Sequence, residues 1–139
     1  MSNPNAHHVG LTVSDLDRAL EFYRDTLGFP VLDRFEVSGE AFADVTDIDS
    51  AAGSFVHLDA GDVRLELVEY EPMGADHTRP DINQPGAAHL ALAVEDADAA
   101  FEALPESVEQ VGGPRTTDSG TRLGFVRDPD GNLVELLEA

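Results

Sequence analysis

The sequence predicts an α+β fold built from two βαβββ modules that form one curved mixed sheet around a shared cleft. Three observations predict it. The stretch "HVGLTVSDLDRALEFY" (8–23) aligns without a gap on "HLALAVEDADAAFEAL" (89–104), with seven of sixteen pairs identical. "DAGDVRLELVE" (59–69) matches "DPDGNLVELLE" (128–138), each an acidic glycine turn followed by an apolar strand carrying one central Glu. Within each copy the apolar spacing changes from alternation to helical periodicity and back.

The elements follow in order. Residues 7–13 and 87–94 read as strands by alternation and β-branched content. Ser14 offers an N-cap with Asp17 three residues on, and Leu16, Ala19, Leu20, Tyr23 and Leu27 then fall on one helical face. Gly28 and Pro30 end that helix. The second helix begins near Glu95–Asp96, buries Ala97, Ala100, Phe101 and Leu104, and stops at Pro105. Strands at about 30–37, 54–59 and 63–70 complete the first module, and 107–117, 121–127 and 132–138 complete the second, with "DPDG" as a hairpin turn. The organisation is a single domain over 1–139: a first module at 6–70, a Pro- and Gly-rich linker at 71–86, and a second module at 87–139.

Composition bounds the function. A hydrophobic share of 42% in 139 residues supports a globular core without staples, and the absence of Cys excludes disulfides and thiolate chemistry. No apolar run reaches the ~20 residues of a membrane span and no leader is evident, so a cytoplasmic protein is expected. With 28 acidic residues, 8 Arg and no Lys, the net charge of −20 argues against nucleic acid and anionic membranes as partners. This acid-rich, Lys-free balance resembles that of halophilic proteins, whose self-repulsion salt screens.

One βαβββ module leaves one sheet face uncovered, so that face is expected to line the cleft. By period two it takes His8, Gly10 and Thr12 in one strand and His89, Ala91 and Ala93 in its repeat; His7 is left as a bystander. Glu66 and Glu135 lie between apolar neighbours, and a carboxylate so placed needs a pair or a cation. His8, Glu66, His89 and Glu135 therefore form a two-fold-related set of two imidazoles and two carboxylates, which makes the cleft a metal-binding one. Such a mixed set suits a divalent Ni, Co, Zn, Mn or Fe ion. Glu69 and Glu138, one strand position off phase, read as solvated. His57 reads as cleft lining and His77 as linker surface, and residues 38–53 with the linker form the cleft mouth.

The segments "HVGLTVSDLDRALEFYRDTLGF", "LELVEY", "AHLALAVEDADAAFEAL" and "GFVRDPDGNLVELLE" resemble the vicinal oxygen chelate superfamily, which includes glyoxalase I, methylmalonyl-CoA epimerase, extradiol dioxygenases and bleomycin-resistance proteins. The resemblance places the family's metal positions on His8, Glu66, His89 and Glu135, a His-Glu-His-Glu pattern similar to glyoxalase I. It implies a small-molecule substrate with adjacent oxygens and a homodimer. The chemistry implied is proton transfer next to a carbonyl through an enediolate, with Glu135 or Glu66 as the base. The alternatives are an iron extradiol-type dioxygenase and a metal-free resistance-type binding protein.

Overall fold

A computed structural model describes residues 3–76 and 79–138. The chain divides into two compact units, Met1–Ala75 and Asp76–Ala139. The first holds β1 (Val9–Thr12), β2 (Val31–Val37), β3 (Ala52–Asp59) and β4 (Arg64–Glu71), in the sheet order β1-β4-β3-β2. The second holds β5 (His89–Ala93), β6 (Glu109–Thr116), β7 (Arg122–Arg127) and β8 (Leu133–Glu138), in the order β5-β8-β7-β6. In each sheet the first strand runs parallel to the last and the other pairs are antiparallel. The α+β class is the one the sequence predicts, and the mixed strands of the two modules lie in two four-stranded sheets, one per unit.

The order puts β4 and β8 inside their sheets, flanked on both edges. Leu65 and Leu67 of β4 are fully buried with Val56 and Leu58 of β3 and with Leu16, Ala19, Leu20 and Tyr23. Burying a Leu side chain contributes roughly 1.5–3 kcal/mol, enough to fix which face of β4 turns inward. Period two then commits Arg64, Glu66 and Val68 to the other face. In the second unit, Val134 and Leu136 of β8, Val126 of β7, and Ala97 and Phe101 play the corresponding part, which commits Glu135.

α1 (Leu16–Leu20) opens into a π-helical stretch at Glu21–Thr26, with Leu27 N–H donating to Phe22 O at 2.9 Å. Gly28, at φ +83°, ends it in a conformation a side chain would strain. Asp15 rather than Ser14 is the N-cap: its carboxylate accepts from Arg18 N–H at 3.2 Å. The repeat does the same, with Asp96 capping α3 (Ala97–Glu102) through Ala99 N–H at 3.0 Å. Helical backbone starts one residue later than the capping-box reading supposes, so the residue just before it takes the cap.

Glu69 and Glu138, expected to be solvated, are partly buried. Glu69 accepts from the Leu16 N–H and Glu138 from the Ala97 N–H, each at 2.8 Å. Each ties the exit of a central strand to the first turn of its unit's helix, whose free N–H groups favour an anion.

α2 (Glu40–Thr46) occupies part of the stretch 38–53 that sequence periodicity left unassigned. His77 lies outside the described residues. Among the described residues no helix is long and apolar enough to cross a membrane.

Candidate metal centre

The strand registers assemble a His–carboxylate pair in each unit. Glu66 of β4 stands opposite Gly10 of β1 and His57 of β3. Glu135 of β8 stands opposite Ala91 of β5 and Phe125 of β7. The small residue on the parallel strand leaves room: a Cβ on Gly10 would meet Glu66 Oε1 at 3.4 Å. His8 Nε2 lies 3.4 Å from Glu66 Oε2, and His89 Nε2 lies 3.3 Å from Glu135 Oε1. Both carboxylates are largely covered, while His8 and His89 keep part of their rings open to solvent. The structure thus brings His8 beside Glu66 and His89 beside Glu135, each pair within its own unit.

The donor set fits a divalent first-row ion. Nitrogen and oxygen ligands about 2.1 Å from one tetrahedral ion stand about 3.4 Å apart. The observed separations match that span and exceed the ordinary N–H···O distance of about 2.9 Å. Neutral imidazole and carboxylate are also the ligand types that such ions accept.

The environments of the two pairs differ. Around Glu66, His57 Nε2 lies 2.7 Å from Oε2, and Arg64 Nη1 lies 3.2 Å from His57 Nδ1. His57 is only 5% exposed, so its ring is held by packing as well. His8, His57 and Glu66 bring their nearest ligand atoms within 4.8 Å of one another. His7, expected to be a bystander, touches His8: their Nδ1 atoms are 2.8 Å apart. The contact lies on the far side of the His8 ring from Glu66, where an outer partner can orient a ligating imidazole.

Around Glu135 the corresponding register positions are apolar. Phe125 stands where His57 does, with its ring 5.5 Å from that of His89, and Leu133 takes the position of Arg64. Among the described residues no hydrogen bond reaches the Glu135 carboxylate.

An aromatic cluster adjoins the first pair. Phe35 stacks on Phe55 at 5.0 Å and meets His57 edge-on at 5.1 Å, while Phe42 of α2 stacks on Tyr70 at 6.2 Å. Of the Arg residues on the central strands, Arg64 is engaged by His57, and Arg122 is paired with Asp98 at 2.7 Å. That pairing holds the Asp98 carboxyl below its usual range, chiefly through the hydrogen bond. Arg127 donates to the carbonyls of Gly131 and Pro80. It is therefore used up in securing the C-terminal hairpin.

Two βαβββ units, each placing one imidazole beside one carboxylate at equivalent registers, define a class of α+β proteins built by repetition. The chain belongs to the Glyoxalase/Bleomycin resistance protein/Dioxygenase superfamily, whose family model matches residues 5–136. It is 34% identical to a 2-epi-5-epi-valiolone epimerase of an Actinomyces species, over 94% of this chain and 77% of that protein. It is 27% identical to a probable lactoylglutathione lyase of Vibrio cholerae, over 99% of this chain and 93% of that one. Among solved structures, a glyoxalase family protein from Bacillus cereus superposes with a TM-score of 0.87 at 27% identity, covering 99% of this chain and 95% of that one.

Proposed function

We propose that the chain is a divalent-metal-dependent enzyme that moves a proton on a carbon next to a carbonyl, with His8, Glu66, His89 and Glu135 as the metal ligands. The observation that carries this reading is the repeated His–carboxylate pair, at 3.4 and 3.3 Å on equivalent strands. When bound, the ion supplies a Lewis acid that polarises the substrate's adjacent oxygens and stabilises the negative charge developing there. The protein's own residues do the rest. His8 and His89 are permanent ligands, and His7 orients the first. Glu66, hydrogen-bonded by His57, keeps its place. Glu135, beside Phe125 and with His89 alone near its carboxylate, is the carboxylate that takes the proton from the substrate carbon and returns it.

Two reactions share that step, an epimerisation and the isomerisation performed by lactoylglutathione lyases. The engaged state of Arg64, Arg122 and Arg127 favours the first, because the second uses an anionic thiol adduct that needs free cations. The 34% identity to an epimerase supports the same choice.

The test is proton exchange in D2O, followed by NMR with nickel-, cobalt- or zinc-loaded protein. A cyclic polyhydroxy ketone such as 2-epi-5-epi-valiolone is expected to gain deuterium next to its carbonyl faster than the hemithioacetal of methylglyoxal and glutathione. Faster turnover of the hemithioacetal would make the chain a lactoylglutathione lyase. Oxygen uptake with a catechol and iron, or binding without any metal, would overturn the proposal.

A further inference from the structure

His57 lacks a repeat partner, yet it is the most buried imidazole at the centre and one of three donors close enough to share an ion. Its two ring nitrogens decide what it does. Arg64 has only N–H donors to offer, so the His57 Nδ1 that lies 3.2 Å from its Nη1 must accept. The ring proton then sits on Nε2, which faces Glu66 Oε2 at 2.7 Å. That is a hydrogen-bond length, shorter than the 3.4 Å that separates His8 from the same oxygen. Ligation through Nε2 would require a lone pair there and a proton on Nδ1, aimed at the arginine.

Building on the proposed metal-dependent function, we infer that His57 is a positioning residue and not a fourth nitrogen ligand: Arg64 fixes its tautomer, and its Nε2–H holds the Glu66 carboxylate in place. Arg64 and His57 thereby distinguish Glu66 from Glu135. The register counterparts of these two residues in the second unit, Leu133 and Phe125, offer neither donor nor acceptor.

The experiment has two readouts on the intact chain. Nitrogen NMR of labelled histidine reports the His57 tautomer in the metal-free and the zinc-loaded protein. The Nε2–H form is expected in both, and Arg64→Leu is expected to admit the other tautomer. An Nδ1–H form, or a zinc-bound shift on Nε2, would overturn the inference. Zinc titration of His57→Gln and His57→Ala supplies the second readout, because a Gln amide donates to a carboxylate yet ligates poorly. His57→Ala is expected to weaken zinc by about 10- to 100-fold with unchanged stoichiometry, and His57→Gln to recover most of that loss. Loss of the ion in both, as in His8→Ala, would make His57 a ligand. Unchanged affinity in both would remove its positioning role. If the parent protein takes up no metal, the proposed function fails by itself, and the tautomer in the metal-free protein still decides between the two roles of His57.

Discussion

The two units repeat the same strand order and the same His–carboxylate separation, but they surround the carboxylate differently. In the first, a line of polar groups runs from Arg64 through His57 to Glu66, and His7 backs His8. In the second, Phe125 and Leu133 stand at the matching registers, and Ala88 stands where His7 does. A hydrogen-bonded carboxylate loses orientational freedom, and an aromatic ring at the same register supplies no such bond. Duplication thus supplies two equivalent carboxylates, and divergence of their neighbours gives them different surroundings; the proposed division of roles between Glu66 and Glu135 rests on that difference.

The largest expected effect separates the two carboxylates. Glu135→Gln, assayed at saturating metal, is expected to lower proton exchange by about 100-fold or more, the usual contribution of a positioned base. Glu66→Gln is expected to act mainly on metal affinity, so kinetics and metal titration together give the contrast. An equal loss of exchange in both variants, at equal metal content, would erase it. A smaller effect comes from giving the second unit the first unit's wiring. Phe125→His is expected to tether Glu135 and slow exchange several-fold without lowering metal affinity. Faster exchange would show that tethering helps the base. The smallest effect tests where the units agree. Glu69→Ala and Glu138→Ala each leave a helix N–H without its acceptor, and each is expected to cost about 1 kcal/mol in a denaturant titration. A marked difference between the two would show that the helix ties are not equivalent.

How much of this was legible follows from what repeats. His8 with His89, and Glu66 with Glu135, stand out because a single ambiguous residue becomes informative when its counterpart occupies the same register. Asp15 and Asp96 are also a repeated pair, yet the capping-box spacing of Ser14 and Asp17 points one residue too early. His57 could be assigned to a face by alternation but not to a partner. Only the β3–β4 register sets it opposite Glu66, and nothing in the second unit echoes it. Glu69 and Glu138 carry the pattern of solvated residues, because an acidic residue off the apolar phase ordinarily faces water. The acceptor role depends on a helix start that lies far away in sequence. α2 escaped detection because its apolar residues make no full stripe: Phe42 packs on aromatic neighbours, while Val45 is 82% exposed.

The proposal that His8, Glu66, His89 and Glu135 all ligate the metal is tested most directly by metal content. The protein, His8→Ala and His89→Ala would be loaded with zinc or nickel, desalted and analysed by mass spectrometry. About one ion per chain is expected in the parent and none in either variant, since each variant removes one of four ligands. Full retention in His89→Ala with loss in His8→Ala would contradict the account, leaving the ion to His8, His57 and Glu66 alone.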